Sequence, residues 1–195
     1  MPYTSLEPRS PYAATKAGAD RLAYSYFVTY GLPIVSVRPF YNYGPWQHPE
    51  KVVPRFIVQA LTGSPLTVHG DGHASRDWLY VDDDAEALET LIDAPLETVA
   101  GEVVNVATGV DIPVAEIARL VVDAVGNPEA TVEQVAERWG QVDRHIGSTE
   151  KLSALTGWRA RTTFADGLER TVAWYRENET WWRKRVGQGT RVSSS

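Results

Sequence analysis

Tyr12 and Lys16 are the residues whose types and spacing most directly suggest chemistry. Residues four positions apart lie on one face of a helix, so a helix here would make the phenol and the ammonium neighbours. A phenol titrates at about pH 10 and is a poor base at neutral pH, but a nearby ammonium stabilises the phenolate and lowers its pKa. Such a tyrosine can take the proton of a sugar hydroxyl while hydride leaves the same carbon for a nicotinamide.

This tyrosine–lysine spacing is a weak signal when it is considered alone. The chain contains nine tyrosines, so the spacing can arise by chance. The alternative interpretation is a surface lysine beside a half-buried tyrosine. The sequence around the pair is therefore needed to distinguish the two interpretations.

Three consecutive aspartates, Asp82, Asp83 and Asp84, form an obvious group of possible metal ligands. Acidic residues are favoured in the first turn of a helix, and this accounts for them without a metal. The four histidines are scattered and show no spacing typical of a metal site. We therefore expect no metal site. The histidines are His48, His69, His73 and His145.

The composition is that of a globular protein and excludes several classes of function. Of the 195 residues, 43% are hydrophobic and 23% are charged, and the formal net charge is -6. This charge argues against a nucleic-acid partner, although a few arginines can still bind a small anion. Disulfides and thiolate sites are excluded because the chain contains no cysteine. We find neither a signal peptide nor an apolar run of the roughly 18 residues that span a bilayer, and we expect a cytoplasmic protein without a membrane partner.

Helices and strands alternate along the chain, which is typical of the α/β class. Ser10 and Pro11 predict an N-cap and a first helical position. Gly31 predicts that this helix, which carries the tyrosine–lysine pair, ends after Tyr30. A buried strand over residues 32–40 would follow it. Further strands are predicted over residues 66–69, 75–81 and 103–107. Further helices are predicted over residues 50–61, 82–92, 113–125, 149–156 and 164–184.

Local signals indicate where the middle elements begin, turn and end. Pro54 is expected to disturb the helix that contains it. Asp82 and Ser148 are the expected N-caps of their helices. Gly70 and Gly72 predict a turn between the two strands that flank them.

Five segments, found in the same order, resemble the extended short-chain dehydrogenases/reductases, the NAD-dependent epimerase/dehydratase family. They are residues 10–20 (SPYAATKAGAD), 37–45 (VRPFYNYGP), 47–51 (QHPEK), 75–82 (SRDWLYVD) and 104–107 (VNVA). Within the family the segments are most similar to the dTDP-glucose 4,6-dehydratase group. The resemblance covers about residues 8–182.

The resemblance implies an α/β fold with two parts. One is the C-terminal part of a Rossmann-type doubly wound sheet, and the other is a smaller α/β substrate-binding domain. Residues 1–45 would be the remnant of the dinucleotide-binding domain, and residues 46–186 would mainly bind the nucleotide sugar. Residues 103–107 are expected to return to the Rossmann sheet, and residues 187–195 are expected to be a disordered tail.

The resemblance also implies a role for each matching residue. Tyr12 would be the catalytic acid/base and a contact to the cofactor, and Lys16 would be its partner and a contact to the cofactor ribose. Asn42 would approach NAD, the cofactor of the family. The implied substrate-binding residues are Lys51, Val52, Thr67, Val68, His69, Arg76, Asn105, Arg138 and Gln141.

Several of these roles have a structural alternative. Arg76 and Arg138 would bind the pyrophosphate of a nucleoside diphosphate sugar, a role that suits a planar bidentate donor. Alternatively, Arg76 and Asp77 would form a strand-edge ion pair of little energy. Asn42 and Asn105 would alternatively satisfy the backbone of turns.

The sequence departs from the family in two ways. Tyr41 stands where the family usually has an asparagine that contacts the substrate, and a phenol is far larger than an amide. The chain also contains no G-x-G-x-x-G motif, the turn at which backbone N–H groups receive a dinucleotide pyrophosphate. We therefore expect the C-terminal part of an enzyme, which alone neither binds NAD nor turns over.

The function implied by the resemblance is that of an NAD-dependent nucleotide-sugar 4,6-dehydratase, which oxidises the sugar at C4 and removes water across C5–C6. Two alternatives stay open, a nucleotide-sugar 4-epimerase and a non-catalytic nucleotide-sugar-binding module. Residues that separate a dehydratase from an epimerase would precede Met1. The full-length protein is expected to be a homodimer.

Overall fold

The computed structural model describes residue 8, residues 10–137 and residues 142–186. Within these residues the helices and strands interleave along the chain. The helices are α1 (Pro11–Tyr30), α2 (Val52–Thr62), α3 (Val81–Asp93), α4 (Leu96–Val99), α5 (Val114–Val125), α6 (Glu150–Thr156), α7 (Phe164–Glu177) and α8 (Glu179–Val186). The strands are β1 (Ser36–Pro39), β2 (Tyr41–Tyr43), β3 (Leu66–His69), β4 (Ser75–Tyr80), β5 (Val103–Val106), β6 (Asp111–Pro113), β7 (Val132–Val135) and β8 (Arg144–His145).

The strands form three small sheets in which parallel pairing predominates. Strand β1 pairs in parallel with β5, and β3 pairs in parallel with β7. The third sheet is centred on β4, which pairs in parallel with β2 and β8 and antiparallel with β6. The α/β class predicted from the sequence is confirmed. The pairing of β5 with β1 agrees with the expected return of residues 103–107 to the first sheet, while the division into domains stays a prediction.

Two hydrophobic cores lie beneath these sheets. The larger core packs α2, α5 and α7 together, with Phe56, Ile117 and Tyr175 among its buried side chains. The smaller core contains Val104 of β5 and Leu152 of α6. Each core therefore supports one of the strands that carry candidate site residues, β4 in the first case and β5 in the second.

Helix α1 begins and ends at the residues that the sequence predicts. The Ser10 hydroxyl accepts a hydrogen bond from the Ala13 N–H at 3.1 Å, and Gly31 takes the left-handed conformation with φ 65°. None of its residues is buried among those described. An ion pair between Asp20 and Arg38 joins the helix to β1. Helix α1 is thus well defined locally but carries little of the core.

The strand predicted over residues 32–40 is shorter than expected. Pro33 has no N–H to donate, and the Ile34 N–H is used locally by the Leu32 carbonyl at 2.9 Å. Regular pairing therefore begins at Ser36, and Phe40 separates β1 from β2.

The expectation that Pro54 disturbs its helix is wrong. Helix α2 begins at Val52, so Pro54 lies in the first turn, where a missing N–H leaves no intrahelical bond unmade. Pro54 is also buried, and Gly63 ends the helix in the left-handed conformation as predicted. The proline is therefore part of a regular helix start.

The predicted N-cap at Asp82 is wrong by two residues. Tyr80, in an extended conformation, occupies the N-cap position of α3, and Asp82 lies in the first turn, where its charge still complements the helix dipole. Thr149 takes the N-cap position of α6, although the Ser148 hydroxyl accepts the Glu150 N–H at 3.4 Å.

Two further differences concern connections between elements. The helix predicted over residues 164–184 is divided at Asn178, whose φ of -111° and ψ of 36° leave the helical range. The strands on either side of Gly70 and Gly72 do not pair with each other, because β3 pairs with β7 and β4 lies in another sheet. No helix in the described ranges has the length and apolarity needed to cross a membrane.

Candidate active site

Tyr12 and Lys16 lie together on the first turns of α1. The Lys16 ammonium nitrogen is 5.8 Å from the centroid of the Tyr12 ring, and the tyrosine is 71% exposed. The helix therefore presents the phenol and the ammonium on one accessible face, as their spacing predicts.

The position of α1 relative to β1 depends on Asp20. Its carboxylate accepts hydrogen bonds from Arg21 at 2.8 Å and from Arg38 Nε at 2.7 Å. Burial raises the pKa of Asp20, but the hydrogen bonds from the two guanidinium groups outweigh it and hold that pKa below its ordinary value. The ion pair thus links the helix of the acid/base candidate to the strand that leads to Asn42.

Asn42 is held in β2 by contacts on its side chain and its backbone. Its Nδ2 donates to Asp84 Oδ2 at 2.5 Å, and Gln47 Nε2 donates to its carbonyl at 2.6 Å. Burial raises the pKa of Asp84 above its ordinary value, although the hydrogen bond from Asn42 opposes this. Gln47 and Asp84 were not predicted as site residues, because no local signal shows that residue 84 reaches residue 42.

Arg76 occupies the middle of the β4 sheet and is 7% exposed. Its Nη1 donates to the Ser75 carbonyl at 2.7 Å, and its guanidinium carbon is 5.4 Å from the centroid of the Tyr41 ring. Strand β4 is paired with β6 and β8 at Arg76, so Arg76 does not lie at a strand edge. A guanidinium enclosed in this way is oriented by its neighbours.

Asp77, next to Arg76, accepts hydrogen bonds from backbone N–H groups of two loops. It is fully buried and accepts from Thr108 at 2.8 Å, from Gly109 at 2.9 Å and from Gly147 at 3.3 Å. These hydrogen bonds stabilise a carboxylate and fix both loops beside β4.

His145 lies beside Arg76, because the two residues are register partners on β8 and β4. Its ring centroid is 4.7 Å from that of Phe40 and 5.7 Å from that of Tyr41. Partial burial against these rings lowers the pKa of His145, Arg76 lowers it further, and Asp77 acts in the opposite direction. In the sequence, His145 is one of four scattered histidines, and a two-residue strand carries no periodic signal that would distinguish it.

The residues predicted to bind substrate near the start of α2 and on β3 differ in their exposure to solvent. The Lys51 side chain is 60% exposed and its nitrogen lies 3.3 Å from Glu50, while Val52 packs against the larger core. Thr67 Oγ1 accepts from Gln59 at 3.3 Å. Lys51 and Thr67 are therefore accessible members of this predicted group.

Val68 and His69 follow Thr67 on β3, which belongs to a different sheet from Arg76. The Val68 side chain is 1% exposed and forms part of the larger core, which leaves only its backbone for a ligand. His69 Nδ1 lies 2.9 Å from the Ala136 carbonyl, at the start of the segment that contains Arg138 and Gln141. Arg138 and Gln141 themselves lie outside the described residues.

Asn105 lies in β5 opposite Arg38 of β1. Its Nδ2 donates to the Ser148 carbonyl at 3.3 Å, so it joins β5 to the start of α6. Across the described ranges there is no group of three possible metal ligands. Asp82, Asp83 and Asp84 are accounted for by their positions in the first turn of α3.

Comparison with known proteins identifies the family. The GDP-mannose 4,6 dehydratase family matches residues 3–171. The chain belongs to this family. It is 40% identical over 177 residues to a dTDP-glucose 4,6-dehydratase of an Actinoplanes species, an alignment that covers 91% of this chain and 54% of that protein. The membership expected from the five segments is therefore confirmed, and the chain spans about half the length of this relative.

Solved structures of similar proteins share the fold. The dTDP-glucose 4,6-dehydratase DesIV of Streptomyces venezuelae, crystallised with NAD, superposes with a TM-score of 0.87 at 39% identity and covers 94% of this chain and 56% of its own. UDP-glucuronic acid 4-epimerase of Bacillus cereus, in complex with UDP-glucuronic acid and NAD, gives a TM-score of 0.83 at 29% identity, with 88% and 54% covered. The Rossmann-type fold class predicted from the sequence is confirmed.

Proposed function

We propose that this chain supplies the acid/base helix and most of the nucleotide-sugar site of an NAD-dependent nucleotide-sugar 4,6-dehydratase, a lyase. The observation that carries the proposal is the Tyr12–Lys16 pair, presented on one accessible face of α1 with 5.8 Å between the ammonium and the ring centroid. The dTDP-glucose 4,6-dehydratases among the relatives support the choice of reaction.

In this mechanism the Tyr12 phenolate accepts the proton of the sugar C4 hydroxyl. Lys16 places a positive charge beside the Tyr12 ring, on the side where negative charge develops as the proton is transferred. NAD, when bound, accepts the hydride that leaves C4. Oxidation at C4 makes the proton at C5 acidic, and water is then lost across C5–C6. The hydride taken from C4 would be returned to C6 and a proton to C5, which gives a 4-keto-6-deoxy sugar with no net change of the cofactor.

The residues present fit contacts to NAD at the ribose and nicotinamide end. Lys16 has three N–H donors on an exposed side chain, which suits ribose hydroxyls, and Asn42 retains an N–H beyond the one given to Asp84. The pyrophosphate of NAD needs the backbone N–H groups of a Gly-rich turn, and that turn is not part of this sequence. The chain alone is therefore expected neither to bind NAD nor to turn over.

Arg76 is the proposed contact to the pyrophosphate of the nucleotide sugar. Its guanidinium is enclosed by β2, β4 and β8 and lies beside His145 and Tyr41. A charge-assisted bond from such a pre-oriented group discriminates strongly for phosphate oxygens. Tyr41 therefore lies close enough to this contact to influence which sugar is accepted.

A homodimer that uses α1 is also proposed. The helix exposes apolar side chains around its circumference, including Leu22 at 59%, Val28 at 62% and Tyr30 at 69%. Exposed apolar residues concentrated on one element are typical of an interface with another chain.

A 4-epimerase is the second candidate function, because an epimerase of 29% identity shares the fold with a TM-score of 0.83. Both enzymes would begin with oxidation at C4, so their products separate them. NMR of the products formed from a nucleoside diphosphate glucose distinguishes a 4-keto-6-deoxy sugar from a sugar inverted at C4.

The decisive experiment uses a polypeptide that contains both this chain and a Gly-rich dinucleotide-binding turn. Tyr12→Phe should lower kcat by about 100-fold or more, because proton transfer is lost, while substrate affinity is retained. Tyr26→Phe, on the same helix, is the matched control and should leave kcat unchanged. Retention of more than about a tenth of kcat in Tyr12→Phe would contradict the acid/base role.

A further inference from the structure

The contact between Asn42 and Asp84 leaves two buried oxygen atoms without hydrogen-bond partners. Asn42 Nδ2 donates to Asp84 Oδ2 at 2.5 Å, which brings the amide and the carboxyl group together. Asn42 Oδ1 and Asp84 Oδ1, the other oxygens of the same two groups, are both buried and unpartnered. Asp84 as a whole is 9% exposed. Buried acceptors are nearly always paired, so two orphans on one contacting pair require an explanation.

A single proton on Asp84 would supply the missing donor. A carboxylate offers only acceptors, and an amide oxygen is also an acceptor, so an ionised Asp84 cannot satisfy Asn42 Oδ1. A protonated carboxyl group has an O–H donor. With the proton on Asp84 Oδ1, that O–H donates to Asn42 Oδ1 while Asn42 Nδ2 donates to Asp84 Oδ2. Both orphaned oxygens then take part in a closed acid–amide ring.

We propose that Asp84 is held as a neutral carboxylic acid in the folded protein and that it acts as a positioning residue for Asn42. The ring fixes the orientation of the amide, so that Asn42 Oδ1 faces Asp84 and the second Nδ2 hydrogen points away from it. The inference that this second hydrogen serves the cofactor rests on the proposed function. The protonation of Asp84 does not.

The surroundings of Asp84 favour the neutral form. Burial raises the pKa of Asp84, and the hydrogen bond from Asn42 is the opposing influence. On its own helix, Asp82 and Asp83 add negative charge nearby. On β4, which also packs against α3, the Asp77 carboxylate already accepts hydrogen bonds from backbone N–H groups. Burial raises the pKa of Tyr80, Asp82 raises it further, and Arg170 opposes the shift. Arg170, the cation beside Tyr80, lies 5.7 Å from the centroid of the Tyr80 ring and is not among the influences on the pKa of Asp84.

Asp83 provides an internal contrast on the same helical turn. It is 5% exposed, and its carboxylate accepts from the Arg161 N–H at 3.1 Å, from the Thr162 N–H at 2.9 Å and from Thr162 Oγ1 at 2.8 Å. The Asp83 carboxylate accepts three hydrogen bonds, whereas Asp84 accepts one from the described residues. The two neighbouring carboxyl groups should therefore respond in opposite ways to replacement by an amide.

The first test compares Asp84→Asn with Asp83→Asn in the 195-residue chain by thermal unfolding across the pH range. Asn at position 84 mimics the neutral acid, so Asp84→Asn should raise Tm by a few degrees at neutral pH. Because the pKa of folded Asp84 is raised, its contribution is fully present below the unfolded pKa and is lost as pH rises. The Tm difference should therefore vanish in acid. Asp83→Asn should lower Tm at neutral pH, since its amide presents a donor to other donors.

The second test follows the two groups by NMR. The ¹³C resonance of the Asp84 carboxyl and the side-chain amide resonances of Asn42 should titrate with one common midpoint, above that of an exposed aspartate. If Asp84 were ionised throughout the pH range above the midpoint of an exposed aspartate, the Asn42 resonances would not shift there. Neither measurement requires a ligand, so failure of nucleotide-sugar binding would count against the proposed function and leave this inference intact.

Two results would overturn the inference. One is a lower Tm for Asp84→Asn at every pH, which would show that the anion is required. The other is a rise in Tm of the unmodified chain with K⁺ or Mg²⁺ that Asp84→Asn abolishes, which would show that a cation supplies the missing partner.

Discussion

At the scale of single residues, Arg76 combines a charge with almost complete enclosure. It is 7% exposed, belongs to the central strand β4 and contacts Tyr41 through its guanidinium. The neighbouring strands orient the guanidinium before any ligand arrives, and pre-orientation reduces the entropy lost on binding. The same enclosure makes Arg76 sensitive to conservative replacement, because a lysine cannot reproduce a planar fork.

Arg76→Ala should weaken the affinity for a nucleoside diphosphate sugar by about 1.5–3 kcal/mol, the usual contribution of a charge-assisted contact to a phosphate. Calorimetric titration measures this directly. Arg119→Ala is the control, because Arg119 is exposed on α5 and pairs with Asp123 at 3.1 Å. An unchanged dissociation constant for Arg76→Ala would remove the arginine from the proposed site.

His145 should make stability depend on pH. Its pKa in the folded chain is lowered, first by partial burial and then by Arg76, so the unfolded chain takes up the proton at a higher pH. Stability should therefore fall as pH drops below about 6.5, the ordinary histidine value, until the folded pKa is passed. His145→Gln should flatten this part of the curve in chemical unfolding experiments. Identical pH dependence in both proteins would show that the histidine is not perturbed.

At the scale of elements, α7 depends on close contact with two tyrosines. A Cβ added at Gly167 would lie 2.3 Å from the Tyr43 hydroxyl oxygen and 2.8 Å from a ring carbon of Tyr80. Tyr43 and Tyr80 are buried at 1% and 3% exposure, so neither ring can move aside easily. This helix is therefore placed against β2 and β4 by the absence of a side chain.

Gly167→Ala should destabilise the chain, because overpacking of about 1–3 kcal/mol exceeds the gain in helix propensity. Gly18→Ala, within α1, is the matched control, since a Cβ there meets nothing within 4 Å. That substitution should stabilise the chain by about 0.5–1 kcal/mol. Thermal unfolding of both variants gives the comparison, and equal effects would contradict the packing argument.

The ends of helices were predictable from the sequence because their causes are local. Ser10 and Gly31 delimit α1 as expected, and Gly63 and Gly126 end α2 and α5 in the left-handed conformation. Strand β8 was not predictable, because two residues show no periodicity and its pairing with β4 joins positions about 70 residues apart.

In the candidate site, contacts within one element were predictable from the sequence, and contacts between distant segments were not. Tyr12 and Lys16 lie within one helix, so their spacing is sufficient to bring them together. Asp84 and Asn42 meet across 42 residues of chain, and only the fold brings them into contact. His145 joins Arg76 and Tyr41 in the same non-local way.

At the scale of the whole molecule, β1 and α1 leave surfaces open. Among the described residues, β1 pairs on one edge only, with β5. Unpaired strand edges and exposed apolar residues both favour association between chains. The open surfaces belong to α1, which carries Tyr12 and Lys16, and to β1, which follows it in the chain.

The isolated chain should therefore self-associate in solution. Leu22→Lys should reduce the mass measured by light scattering, because it places a charge on the exposed apolar surface of α1. Ile92→Lys is the control, since Ile92 is 81% exposed but lies on α3. A monomer at all concentrations would show that the surfaces of α1 and β1 do not associate.

The buried carboxylate of Asp77 also has a consequence for the order in which the chain folds. Its hydrogen bonds to Thr108, Gly109 and Gly147 join positions 31, 32 and 70 residues away. Closing such long loops costs entropy that is recovered only after distant segments have met, so these bonds belong to a late stage of folding. We therefore expect the two loops that approach β4, and with them the neighbourhood of Arg76, to acquire their final shape after the helices have formed.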